Sequence, residues 1–188
     1  MNKNISTGLI ILVIIGTGVY FFMNKSVEDA EIIGKPQVQE SMFDAKNSTF
    51  TVENAPVTLV DGVSEVALAS IPDAKITTRY FGNEAKGDLN FDGRDDVAFL
   101  VTQDGGGSGT FYYVVVALKT DAGYATTNAF FVGDRIAPQT TEIQSQTGEL
   151  RVNFAQRKAD ESMTTQPSVG ATLFLKVTPP NTLEGLMK

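Results

Sequence analysis

Oxygen-bearing side chains recur at alternate positions between residues 88 and 96, in a spacing that suits a hard cation. Counted from Asp88, they fall at positions one, three, five and nine, which are Asp88, Asn90, Asp92 and Asp96. Arg94, at position seven, can contribute only its backbone carbonyl, because its side chain has no acceptor. Calcium takes about six to eight oxygen ligands, which alternate residues of a tight loop can direct at one point. The spacing therefore predicts a Ca²⁺ site.

This loop differs from an EF-hand in two respects. Position twelve is Phe99, where an EF-hand has a bidentate Glu. The apolar residues 97–101 that follow are typical of a short strand and lack the pattern of an amphipathic helix. The alternative is an ordinary Asp/Asn/Gly turn with a solvated acidic face, and it stays open at this point.

Residues 79–103 resemble an FG-GAP repeat, the calcium-loop unit of integrin α-chain propellers and related bacterial surface proteins. The matching residues are Phe81-Gly82, then the run GDLN at 87–90, then DGRDDV at 92–97. The resemblance implies calcium ligation by the side chains of Asp88, Asn90, Asp92 and Asp96 and by the Arg94 carbonyl. Phe91 stands where the family commonly has Gly, so we expect a strained positive φ there.

A longer span, residues 51–177, resembles a family of short, anchored bacterial proteins of unassigned function. The resemblance is carried by residues 81–120 and by the runs GDRIAPQTTEI and QPSVG. It implies an organisation and a compartment for the chain, and it implies no chemistry.

Composition excludes several classes of site. The 188 residues include no Cys, His or Trp, so disulfides, zinc–thiolate sites and a Ser-His triad are impossible. The net charge is −7, and the longest basic tract is Arg157-Lys158, so we expect no nucleic-acid partner. Ser108 lies in a glycine-rich segment but has no His to activate it.

The N-terminus predicts a membrane anchor at residues 1–24. Residues 5–23 carry no charge and would span ~28 Å as a helix, close to the ~30 Å of a bilayer core. Lys3 precedes this run; Lys25 follows it, but Glu28 and Asp29 come soon after, and we expect the C-terminal part to lie outside the cytoplasm. A cleavable signal peptide is the alternative. Residues 25–48 are interpreted as a polar linker.

The remaining chain predicts a mainly β fold, a single antiparallel β-sandwich or half-barrel at residues 49–180 with a tail at 181–188. Asp61-Gly62 predicts a hairpin turn. Residues 97–102 and 110–118 are apolar on both faces, so we expect a central hairpin with its tip at 103–109. The polar segment 155–170 is interpreted as a crossover between strands. The other predicted strands are 49–53, 57–60, 63–68, 75–81, 129–132, 140–144, 150–154 and 171–177.

We therefore expect a membrane-anchored, extracytoplasmic, calcium-binding module that is not an enzyme, with calcium stabilising the fold. Its expected partners are the membrane, through the N-terminal helix, and an envelope protein or polysaccharide. One alternative is an inhibitor or accessory subunit of a cell-envelope enzyme. A carboxylate-based hydrolase is the weakest alternative, since the best acidic cluster is the one calcium would occupy.

Overall fold

The computed structural model describes residues 42–68 and 72–187. The predicted anchor and most of the predicted linker lie outside these residues. No helix in the described ranges is long and apolar enough to cross a membrane.

The described chain is mainly β, with antiparallel pairing throughout its three sheets. A short 3₁₀ helix, Ala45–Asn47, precedes the first strand. The strands are β1 Thr49–Val52, β2 Ala55–Thr58, β3 Val63–Ala67, β4 Lys75–Gly87, β5 Asp96–Asp104, β6 Phe111–Thr120, β7 Gly123–Thr126, β8 Phe130–Asp134, β9 Ala137–Gln144, β10 Glu149–Gln156, β11 Val169–Thr178 and β12 Thr182–Gly185.

A six-stranded sheet forms the middle of the domain. Its order is β3-β4-β5-β6-β7, and β8 pairs with β6 beyond the end of β7. β5 and β6 pair from Val97–Ala117 to Gln103–Phe111, so the predicted central hairpin is confirmed. Strands that are apolar on both faces need cover on both sides. Val97 to Val101 and Val114 to Ala117 are all buried accordingly.

Each face of this central sheet packs against a different sheet. On one face, Leu100 and Val114 join a core with Leu150, Val152 and Leu175 of the four-stranded sheet β12-β11-β10-β9. On the other face, the central sheet packs against the β1–β2 hairpin and the 3₁₀ helix, in a core that contains Phe99, Val101, Tyr113, Val115, Phe50, Val52, Val57 and Ala45. The fold class is therefore antiparallel β as predicted, but with three layers where a sandwich has two.

The predicted turn at Asp61-Gly62 forms, with φ of 51° and 85°. It closes only a single bridge, between Val60 and Val63. Its flanking strands belong to different sheets, because β2 pairs with β1 and β3 pairs with β4. The hairpin prediction is thus right for the turn and wrong for the strand pairing.

Both ends of the predicted domain need correction. The Phe43 ring lies 5.8 Å from that of Phe99, and Ala45 is buried, so the predicted linker 25–48 ends before these residues. The predicted tail 181–188 contains β12, which pairs with β11 and buries Leu183. The described residues therefore belong to one compact unit from Met42 to Met187.

The polar segment 155–170 is a hairpin connection and not a crossover. β10 and β11 are antiparallel neighbours whose pairing ends at Gln156 and Val169. A connection between adjacent antiparallel strands crosses no other strand, so the interpretation as a crossover was wrong.

Candidate calcium loop

The candidate loop connects β4 to β5, two neighbouring strands of the central sheet. Leu89 points into the core and anchors the first half of the loop. Phe91 has a φ of 62°, the positive value that was expected there. Its ring lies over Gly148, where a Cβ would stand 2.8 Å from a ring carbon. Phe91 thus adopts a left-handed conformation that is uncommon for a bulky residue, with its side chain 66% exposed.

The side-chain oxygens of Asp88, Asn90 and Asp92 accept hydrogen bonds from N–H groups within the loop itself. The Asp92 N–H donates to Asp88 Oδ1 at 3.2 Å and to Asn90 Oδ1 at 3.1 Å. The Gly93 N–H donates to Asp88 Oδ2 at 2.8 Å. The Asn90 amide donates to Asp92 Oδ2 at 3.2 Å. These three side chains therefore share one small, solvent-facing volume.

The Arg94 guanidinium is the positive group nearest to this volume. It donates to Asp92 Oδ2 from Nε at 3.2 Å and from an Nη at 2.9 Å. Its other Nη pairs with Asp121. The hydrogen bond from Arg94, opposed by a little desolvation, holds the pKa of the Asp92 carboxyl below its ordinary value. Arg94 thus balances the charge at the position where the sequence predicts a calcium ligand.

Asp96 is fully buried at the start of β5, and its hydrogen bonds hold the loop in place. Its Oδ2 accepts the Leu89 N–H and its Oδ1 accepts the Lys119 N–H, each at 2.9 Å. Burial raises the pKa of Asp96, and the charges of Asp92 and Asp88 add to that rise while the two backbone bonds oppose it. The carboxylate therefore ties the loop to β6 and carries an electrostatic cost from its acidic neighbours.

The predicted ligands fit a calcium ion in part. Asp88, Asn90 and Asp92 lie together, and Asp96 interacts electrostatically with both Asp88 and Asp92. In the part of the chain described, no three or more His, Cys, Asp or Glu side chains form a group placed to hold a metal. The oxygens of Asp88 and Asp96 accept backbone amides, and those of Asp92 accept Arg94, so a cation would have to displace the guanidinium.

Three partners of this loop could not be predicted from the sequence. The Asp88 N–H donates to Ser145 Oγ at 3.0 Å, and Lys119 and Asp121 contact Asp96 and Arg94 as described above. They lie 23 to 57 residues away in the chain. Only the strand pairing brings them near, and no local spacing signals it.

Comparisons with protein-family models, with curated proteins and with solved structures find no match.

Proposed function

We propose that this chain is a membrane-anchored, extracytoplasmic module whose loop at residues 88–96 binds Ca²⁺, and that the ion stabilises the fold. The observation that carries this proposal is a shared hydrogen-bond donor. The backbone N–H of Asp92 donates to both Asp88 Oδ1 and Asn90 Oδ1, so these two oxygens lie close together. Side-chain oxygens held this close, with Asp96 behind them, are the hard ligands that calcium prefers.

A stabilising role suits the position of the loop better than a switching role. The loop leads directly into β5, whose apolar residues are buried on both faces. A rigid central strand has no second arrangement for an ion to select, in contrast to the helix pair of a sensor protein. Calcium would instead offset the repulsion among Asp88, Asp92 and Asp96 and fix the point at which β5 begins.

The guanidinium of Arg94 gives this proposal a discriminating test. Arg94→Gln keeps the backbone carbonyl that position seven supplies and removes the cation that competes for Asp92. Calcium titrated calorimetrically into the full-length chain in a neutral detergent should bind Arg94→Gln at least as tightly as wild type. Asp92→Asn should bind at least about tenfold more weakly.

Asp95→Asn is the matched control, since Asp95 is an exposed acid next to Asp96 that is not in the ligand set. It should change calcium affinity little. Equal affinity in wild type and Asp92→Asn, or loss of binding in Arg94→Gln alone, would contradict the assignment of these ligands.

The anchor requires a separate test, since residues 5–23 lie outside the described residues. Their uncharged composition supports a single-pass helix with the β domain outside the cytoplasm. Alkaline carbonate washing of membranes should leave the full-length chain in the pellet. Release of the chain, or a mature N-terminus beyond Val19, would exclude the anchor.

A further inference from the structure

A second candidate site lies on the face of the central sheet that the β1–β2 hairpin covers. It is a cavity of about 350 Å³ lined by Glu53, Gln103, Phe111, Tyr113 and Phe131. Strand register puts these side chains together, because Gln103 pairs with Phe111, and Tyr113 pairs with Phe131. Phe111 and Tyr113 are two residues apart on β6 and so point to the same face.

Three aromatic rings form a corner at this cavity. The Phe111 and Phe131 centroids are 6.4 Å apart at 50°, and those of Tyr113 and Phe131 are 5.5 Å apart at 63°. Phe131 is 49% exposed and Phe111 is 38% exposed, so two of the rings are open to solvent. Rings inclined at these angles form the walls of a corner and not one flat surface, whereas the ring of a sugar stacks on a flat aromatic surface.

Glu53 supplies a carboxylate at the same point. It occupies the two-residue turn between β1 and β2, where Glu53 and Asn54 have φ of 48° and 69°. Such turns favour Asn-Gly, and a Glu at the first position is held against its backbone preference. The Glu53 side chain accepts the Tyr113 hydroxyl at 2.9 Å, and its carboxylate keeps capacity for further contacts.

The cavity is electrostatically suited to a positive ligand. None of the five described lining residues is basic, and the whole chain carries a net charge of −7. Arg135 follows Asp134, the strand partner of Phe111, and its guanidinium is paired with that carboxylate. An anion would meet Glu53 without a compensating cation in the lining.

We propose that this aromatic cavity binds an alkylammonium group, such as the quaternary head of choline, between the three rings and the Glu53 carboxylate. Aromatic ring faces attract a cation that is held within about 6 Å, and quaternary ammonium ions are the ligands of such cages. The volume lies within the range of small-ligand pockets. This site is separate from the calcium loop and goes beyond the function proposed above.

Choline and its neutral isostere 3,3-dimethylbutan-1-ol test the role of the charge. The full-length, nitrogen-labelled chain in a neutral maltoside detergent is titrated with each and followed by chemical shift, in calcium and in EDTA. Choline should shift the amides of Phe111, Tyr113 and Phe131 and bind at least about tenfold more tightly than the isostere. Equal affinity for the two compounds, or no shift at these amides, would overturn the proposal. A choline site that persists in EDTA separates this result from the fate of the calcium proposal.

Two variants assign the contacts. Phe131→Leu removes an exposed ring, and Glu53→Gln removes the charge but keeps an acceptor for Tyr113. Each should weaken choline binding about tenfold or more while leaving the melting midpoint nearly unchanged. Phe81→Leu, an equally exposed ring that contacts Tyr112, is the control and should bind as wild type does. Unchanged binding in both test variants would also overturn the proposal.

A final comparison identifies the source of the ammonium group. Phosphatidylcholine vesicles that compete with free choline would assign a lipid headgroup, and vesicles that do not compete would assign a soluble ligand. Both results support the ammonium site.

Discussion

At the scale of single residues, Asp96 and Asp92 show that two acidic side chains of one loop can have different structural roles. Asp96 is buried and accepts two backbone amides, whereas Asp92 is solvent-facing and paired with Arg94. The sequence places both in a ligand spacing but cannot tell them apart, because burial depends on how β5 and β6 pair. A positive φ was expected at Phe91 from a resemblance to a pattern with Gly at that position, and φ there is 62°.

Asp96→Asn should destabilise the fold by ~1–3 kcal/mol even without calcium. The new amide can accept only one of the Leu89 and Lys119 N–H groups, and its own N–H₂ faces the other donor. Denaturant unfolding in EDTA measures the cost. The neighbouring, exposed change Asp95→Asn should stay within about 0.5 kcal/mol. Equal effects of the two changes would mean that the hydrogen bonds of the buried carboxylate do not hold the loop in place.

Tyr113 should make stability fall between pH 10 and pH 12. Burial, aided by the hydrogen bond to Glu53, raises the pKa of its hydroxyl to about 12. In the unfolded chain the hydroxyl ionises near its ordinary value of about 10. Above that pH the unfolded state therefore binds fewer protons than the folded state, and stability declines as pH rises. Tyr113→Phe should reduce the slope of unfolding free energy against pH by up to about 1.4 kcal/mol per pH unit. An unchanged slope would refute this assignment.

At the scale of elements, the hydrophobic pattern of the sequence predicted the positions of the strands well. It predicted poorly which strands pair with each other. β5 and β6 were predictable as central because both of their faces are apolar. β12 was missed because Thr182–Gly185 is short and only Leu183 of it is buried. The partners of β2 and β3 were missed because the Asp61-Gly62 turn bends the chain from one sheet to another.

Gly87 tests the close approach of the end of β4 to the end of β9 and to Ser145 just after it. A Cβ at Gly87 would stand 2.7 Å from Ile143 Cγ2 and 2.8 Å from Ser145 Oγ. Gly87→Ala should therefore cost ~1–3 kcal/mol by overpacking. Gly107→Ala, in the open tip between β5 and β6, meets nothing within 4 Å and should be neutral. The two variants are compared by thermal unfolding, and a neutral Gly87→Ala would show that this contact is loose.

Leu183 tests whether the C-terminal strand is part of the core. Leu183→Ala removes a side chain that is 2% exposed, in the core between the four-stranded sheet and the central sheet, and should cost ~2–5 kcal/mol. Met187→Ala, four residues further along and fully exposed, should change stability by less than about 0.5 kcal/mol. Similar denaturation midpoints for the two variants would restore the interpretation of residues 181–188 as a tail.

At the scale of the whole molecule, the loop at 88–96 is mostly exposed itself, but it leads into the most deeply buried strand of a three-layer domain. Its last residue begins β5, and β5 contributes to both cores. The second layer on β5 comes from β1, β2 and the residues around Ala45, which the sequence suggested only in part, because Phe43 and Ala45 follow a polar segment. An ion at this loop would therefore act on the stability of the entire domain.

The melting midpoint of the full-length chain in ~1 mM calcium and in EDTA tests the central claim most directly. Extracellular calcium modules bind at about 10⁻⁴–10⁻³ M. With a dissociation constant of ~10⁻⁴ M, mass action contributes about 1.4 kcal/mol. For a domain of this size we predict a rise in the midpoint of roughly 3–8 °C. The double change Asp88→Ala with Asp92→Ala should abolish that rise. If wild type melts at the same temperature in calcium and in EDTA, the loop is an acidic turn and the proposed calcium role is wrong.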